Sequence, residues 1–432
     1  MNSQILTDIR RAQEAGQRYF HSGKPAALDE AVAIWEQVLA HPAFATAEER
    51  LQLAALNDAG GIFLRRYQAQ GRLEDLDQAL GLLREAVQRA PPDSPNLPFI
   101  LNNLGSGLSE RYDHTGRMKD LEEEIRLFRE AAQRMREVMP RMLPLYSPHL
   151  PSILSNLGTG LSIRHARTGQ LKDLEEAVRV REEALSLTSR GWPERPALLN
   201  NLGNVLLDRY RHIGHLQDLE RAVSVYQEAI DLTSPDLPDL PAFLSNLGLA
   251  LLRLADADPD QRQAYLSCAG ARFQRATSLL DAIEADHLLR ARTRYHLGRC
   301  YHQLGRWREA ITLLEQARET FSRHKARPEL AHALLELGQL YHLIHDFESA
   351  YIYLKDALRL FRRIEDTDGI AVTQEALGSL SLLTGRPSAA IDSFRKARWG
   401  YIDLQRNQRV REIDNLLQIA HRAIQPMGGA IS

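Results

Sequence analysis

Arginine and aspartate recur along the first half of the chain at fixed distances. Arg-[Tyr/His]-x-x-x-Gly appears as Arg18-Tyr19…Gly23, Arg66-Tyr67…Gly71, Arg111-Tyr112…Gly116, Arg164-His165…Gly169 and Arg209-Tyr210…Gly214. Four residues after the last four glycines stand Asp75, Asp120, Asp173 and Asp218, each followed by Leu. Arginine beside a carboxylate can serve acid–base chemistry. Here every copy carries the set, and an enzyme has no use for four identical sites. A structural role fits better. The Asp is placed to N-cap a helix, and the Arg is placed to pair with it across the turn.

Other chemistry-bearing residues give mostly exclusions. His296, His302, His332, His342 and His345 cluster late in the chain. His302 and His342 lie four residues past equivalent glycines, which predicts neighbouring side chains. No carboxylate or cysteine completes a metal set at ligand spacing. No metal and no cofactor are expected. The nearest string to a phosphate loop, Gly16…Gly23-Lys24-Pro25, has six intervening residues and a proline. Gly105-Ser-Gly107 and Gly158-Thr-Gly160 follow no strand. Neither His-Glu-x-x-His nor Gly-x-Ser-x-Gly occurs. The expectation is a protein that is not an enzyme.

Composition agrees with a folded, interaction-type protein. The 432 residues are 44% hydrophobic and 25% charged, as in globular chains. Lys+Arg number 54 and Asp+Glu 56, a net charge of −2, so nucleic acid is not expected as the main partner. No run of about 20 apolar residues suggests a membrane partner; Leu247–Leu252 is stopped by Arg253. The N-terminus lacks an apolar signal core. Cys268 and Cys300 are too few for a disulfide framework. A reduced, cytoplasmic protein is expected.

These residues must be positioned by a repeat. Leu-Gly pairs stand at 104–105, 157–158, 202–203, 247–248, 297–298, 337–338 and 377–378, with a degenerate Ala59-Gly60 before them. Around each anchor the apolar spacing predicts two amphipathic helices. In Pro196–Tyr210, Leu198, Leu199, Leu202, Val205 and Leu206 recur at helical spacing behind Pro196, a residue suited to a first helical position. The second helix carries small residues one heptad apart, such as Ala222 and Ala229. No strand-type alternation appears. Arg18 implies an unanchored first repeat near residues 1–45. The prediction is nine helical pairs and a last, capping helix near Asn407–Ile424. The divisions expected are 1–252 with repeats of about 45 residues, an irregular junction at 253–286, repeats of about 40 residues over 287–404, and a cap and tail at 405–432.

Leu297-Gly298…Tyr301…Gly305…Trp307…Ala310…Ala317 resembles the tetratricopeptide repeat (TPR) pattern. Leu337-Gly338…Tyr341…Phe347…Ala350…Ala357 does so except that His345 replaces the turn glycine. Leu377-Gly378…Gly385…Ala390…Ala397 is a looser match. The 45-residue copies resemble the long TPR arrays of bacterial signalling proteins, often placed beside a CHAT-type peptidase or an NTPase domain. Their Leu-Asn-Asn-Leu-Gly string is similar to that of kinesin light chains. The resemblance implies an all-α, right-handed superhelical solenoid. It also implies a groove lined by residues six, three and two before each anchor Gly and one and four after it. A CHAT peptidase would need a separate α/β domain with a His–Cys pair, which this sequence lacks.

At those positions stand Asn103, Asn156, Asn201 and Asn246, together with Asn204, Arg292, Arg299, His302 and His342. Asn in mid-helix costs about half a kcal/mol against Ala, so the ladder wants a reason. One reading is that stacked carboxamides bind the main chain of an extended peptide. The other is that they bond neighbouring helices within the solenoid. Arg292 and Arg299 predict a positive groove end, or else solvated surface arginines. An insertion between Ala131 and Pro151 supplies Met139, Met142, Leu143, Leu145 and Tyr146, an apolar protrusion suited to docking. The alternative reading is that it folds back on its neighbour.

The first functional reading is a non-catalytic scaffold that binds a peptide or protein segment in the groove. The second is a sensor subunit controlling a separately encoded CHAT-type peptidase or NTPase. A third is a peptide-pheromone receptor, which the lack of a DNA-binding helix-turn-helix disfavours.

Overall fold

Glycines with left-handed backbone end the first helices of the early repeats. Gly71, Gly116, Gly169 and Gly214 have φ of 72°, 68°, 69° and 77°. The amide of each donates to the carbonyl of the Tyr or His four residues earlier, at 2.6–2.7 Å. This closes the helix with an αL cap and accounts for the Arg-[Tyr/His]-x-x-x-Gly spacing. In the late repeats His345 takes the same role at φ 64°, where Gly305 and Gly385 stand at 74° and 71°.

The computed structural model describes residues 3–142, 149–282 and 287–424. Among these residues the chain is all-α, with 20 helices. In chain order, α1 (Ser3–Ser22) and α2 (Pro25–Ala40) precede a short α3 (Pro42–Ala45). Pairs follow as α4 (Glu49–Gln70) with α5 (Leu73–Arg89), α6 (Leu97–Thr115) with α7 (Met118–Met142), and α8 (His149–Thr168) with α9 (Leu171–Ser186). Next come α10 (Arg195–Ile213) with α11 (Leu216–Asp231), and α12 (Leu240–Ala257) with α13 (Arg262–Ala282). The later pairs are α14 (His287–Gln303) with α15 (Trp307–Arg323), α16 (Arg327–Leu343) with α17 (Phe347–Arg363), and α18 (Thr367–Leu383) with α19 (Pro387–Asp403). α20 (Asn407–Ile424) closes the series. The nine pairs and last helix are those expected, arranged as a TPR-like solenoid.

Packing contacts divide the chain into two compact units, Met1–Asp218 and Leu219–Ser432. The division falls in the first turn of α11, ahead of the change in repeat length. Within each unit, small residues on the second helices make close crossings. Ala79, Ala86, Ala310, Ala317, Ala350 and Ala357 have no exposed surface. The anchor glycine does the same on the first helix: a Cβ on Gly105 would lie 2.7 Å from the ring of Phe128. α12 is long and apolar enough to cross a membrane by composition, but 67% of it is buried inside the protein as core.

The structure corrects the capping role. α5 and α9 are preceded by Arg72 and Gln170, neither with a side-chain cap bond. Asp75, Asp120, Asp173 and Asp218 are each the third residue of their helix and are buried. Each is held by the arginine nine residues earlier. Arg66 donates Nε to Asp75 Oδ2 at 2.8 Å and Nη2 to Oδ1 at 2.6 Å. Arg111–Asp120, Arg164–Asp173 and Arg209–Asp218 repeat the two-point bond. The clamp ties the end of one helix to the first turn of the next. An acidic group in that turn also suits the helix dipole. Arg18 has no such aspartate and pairs with Glu30 at 2.7 Å.

Candidate functional site

In the first unit the polar face of the first helices is internally wired. Asn103 Nδ2 donates to Asn57 Oδ1 at 2.9 Å, and Asn156 Nδ2 donates to Asn102 Oδ1 at 3.1 Å. The carboxamide two before one anchor thus bonds the carboxamide three before the preceding anchor. Asn57 continues the chain to Asp58 at 3.4 Å, and Gln13 donates to the other Asp58 oxygen at 2.9 Å. Burial pushes the Asp58 carboxyl up, and the Gln13 and Asn57 hydrogen bonds work against that. Asn103 and Asn156 are only half-buried. Each keeps its carbonyl oxygen and a second N–H beyond the bond it donates. The solenoid therefore uses the ladder and leaves part of its hydrogen-bonding capacity over.

Asn201 is half-buried at the same position of α10. Asn204 and Asn246 are half-buried and have partners in the protein. Beside Asp58 the face opens into a cavity of about 500 Å³ that reaches Gln13, Asn57 and Asn103.

In the second unit the expected positive groove end is neutralised. Arg292 pairs with Glu329 at 2.7 Å, and Arg299 Nε donates to Glu336 Oε1 at 3.0 Å. His302 Nδ1 lies 2.9 Å from the other Glu336 oxygen, so a carboxylate is the partner found for His302. Burial alone would push the Glu336 carboxyl up, but the His302 hydrogen bond and the Arg299 charge outweigh it and hold it below its ordinary range. Glu336 stands two residues before Gly338, the position that carries Asn or His in earlier repeats. Extending that alignment by one repeat would have found it. His342 packs 6.2 Å from the ring of Phe347, and burial pushes its pKa down.

Leu143, Leu145 and Tyr146 of the protrusion lie outside the described residues, as do the side chains of Met139 and Met142. Met135, earlier in α7, is fully buried in the repeat core. Among the described residues no group of three or more His, Cys, Asp or Glu is arranged to hold a metal ion. Cys268 and Cys300 are free, and burial pushes the Cys300 thiol up to about 12.

Two buried ionisable groups were not foreseen. Arg181 is 5% exposed, with Nε and Nη1 unpartnered and only Nη2 reaching Thr159 Oγ1 at 3.3 Å. It lies over Gly158, where a Cβ would come within 2.9 Å of its Nε. Glu124 is 1% exposed and lies against Gly160 on the same helix, α8. Both side chains occupy helix-two positions that look like ordinary charged surface in the sequence.

Known proteins give the family. Profiles of the tetratricopeptide repeat match residues 197–236, 269–323 and 329–398. No curated protein sequence matches the chain. Among solved structures, a signal transduction ATPase with numerous domains (STAND) and a TPR sensor, from Pyrococcus horikoshii, aligns at 13% identity with a TM-score of 0.62. The alignment covers 96% of this chain and 55% of that one, so this chain spans about half of that protein. A Rap protein complexed with competence and sporulation factor aligns at 14% identity and TM-score 0.47, covering 86% and 98% of the two chains. BtubC from P. vanneervenii aligns at 19% and 0.44, covering 58% and 92%. Members of this fold generally bind proteins or peptides, and the repeat itself is typically non-catalytic. The paired helices, the Leu-Gly anchors and the profile matches make this chain a tetratricopeptide repeat protein.

Proposed function

We propose that the chain is a non-catalytic scaffold that holds an extended peptide or protein segment against the first-helix face of its N-terminal unit. One observation carries this reading. Asn103 and Asn156 are fixed by inter-repeat hydrogen bonds yet stay half-buried, each with a donor and an acceptor left over. Such groups are pre-oriented for a peptide main chain, which lowers the ordering cost of binding. The test is capture of partners from a lysate of the native organism, followed by mass spectrometry. Wild type is compared with Asn103→Ala/Asn156→Ala/Asn201→Ala. Each lost ligand hydrogen bond is worth about 0.5–1.5 kcal/mol, so the triple variant should bind the captured partner at least tenfold more weakly while remaining folded. Unchanged affinity in a folded triple variant sinks the reading.

A second reading is a sensor subunit acting on a separately encoded NTPase or CHAT-type peptidase. It draws on the likeness to the STAND protein with its TPR sensor. Recovery of an NTPase or peptidase as the captured partner favours it. Recovery of short peptides alone favours a receptor role instead.

A further inference from the structure

Gly61 is a glycine that packing does not explain. Its neighbour Gly60 is constrained, because a Cβ there would lie 2.7 Å from Leu83. A Cβ on Gly61 would meet nothing within 4 Å. Nor is Gly61 among the residues with positive φ. Glycine inside a helix is unfavourable relative to alanine, because it loses more backbone freedom on folding. The equivalent position carries Ser106, Thr159, Asn204 and Arg299 in other repeats. α4 gives up stability here to leave space empty, and that space is the cavity of about 500 Å³.

The cavity carries charge of both signs. Trp35 packs behind its wall and is fully buried, so its indole N–H presents no surface to the cavity. The same cavity reaches the Asp58 carboxylate and the Arg65 guanidinium. Arg65 stands 5.7 Å from the centre of the Phe20 ring, and Phe20 is 63% exposed at the mouth. One negatively charged acceptor, one positively charged donor and an apolar rim therefore converge on one space.

We propose that this cavity binds the free amino end of a short peptide. The α-ammonium group pairs with Asp58. A carbonyl or carboxylate oxygen further along the peptide accepts from Arg65. The first side chain fills the space that Gly61 leaves. The volume suits about two residues. This deepens the peptide-binding reading of the same face and rests on it.

The test is a thermal-shift screen of the full chain against a panel of unblocked dipeptides, with titration calorimetry of those that bind. Each binder is repeated as its N-acetyl form. Wild type is compared with Gly61→Leu and Asp58→Asn. Unblocked dipeptides should raise the melting temperature of wild type, and N-acetylation should weaken binding at least tenfold. Gly61→Leu should abolish binding while melting at or above the wild-type temperature. Asp58→Asn keeps the shape of the site and should also lose at least tenfold, so the proposal is tested even if Gly61→Leu misfolds. The proposal is overturned if no dipeptide binds, or if N-acetyl forms or the Asp58→Asn variant bind as well as their parents. Protein capture that survives such a result would leave the scaffold reading standing without this pocket.

Discussion

Arg164 holds Asp173 at both ends of its guanidinium, Nε to Oδ2 at 2.9 Å and Nη2 to Oδ1 at 2.6 Å, with the Asp173 side chain 1% exposed. The pair spans the turn between α8 and α9. A bidentate contact fixes angle as well as distance, so it sets how one helix of a repeat returns against the other. Three further pairs do the same in their repeats.

Removing Asp173 therefore costs more than losing a helix cap. Asp173→Ala leaves a half-buried guanidinium without its partner, and should destabilise the unit by about 3 kcal/mol. Asp173→Asn should lose most of that as well, since it keeps the shape but not the charge. Urea unfolding of both variants checks this. A cap would be served nearly as well by Asn, so an Asn variant as stable as wild type would refute the clamp.

Glu124 predicts a pH dependence. Burial pushes its carboxyl up to about 8, against a Ser109 hydrogen bond and helped by nearby Asp113 and Asp120. Unfolded, the group titrates near 4.5. Between these values the folded chain binds a proton that the unfolded chain has released. Stability should therefore fall as pH rises from about 4.5 to about 8 and level off above. Glu124→Gln, neutral at every pH, should flatten that slope and stabilise the protein at pH 8. Unfolding midpoints of both proteins from pH 5 to 9 decide; parallel curves would exclude Glu124 as the cause.

Arg181 should be dispensable for folding. Its charge is buried without a counter-ion, and burial pushes its pKa down to about 10. Other repeats fill the matching position with Leu83, Phe128 and Tyr226, all buried. Arg181→Met keeps much of the volume and removes the charge, and should add about 2 kcal/mol of stability. Guanidinium titration of the variant measures this. A loss of stability would show that the Nη2 contact with Thr159 outweighs the buried charge.

The repeat architecture was legible because it is written in short-range spacing. The Leu-Gly anchors, the paired alanines and the Arg-[Tyr/His]-x-x-x-Gly strings each act within one helix or across one turn, so the nine pairs and the Arg–Asp contact could be read directly. The role of the aspartates was misassigned by the smallest of margins. A helix that starts three residues earlier turns an N-cap into a third-position residue, and only hydrogen bonding decides where the first turn begins. The candidate site was legible only in part. The Asn ladder is visible as a column in the repeat alignment. Its partners are 46 and 54 residues away, and which carboxamide meets which depends on the stagger between successive first helices. In the same way, Arg299 looked like free positive charge until Glu336 from the next repeat came to lie against it. The space at Gly61 has no sequence signature at all. A cavity belongs to the helices around it, and whether a missing side chain leaves a gap or is filled by a neighbour is settled only when those helices pack.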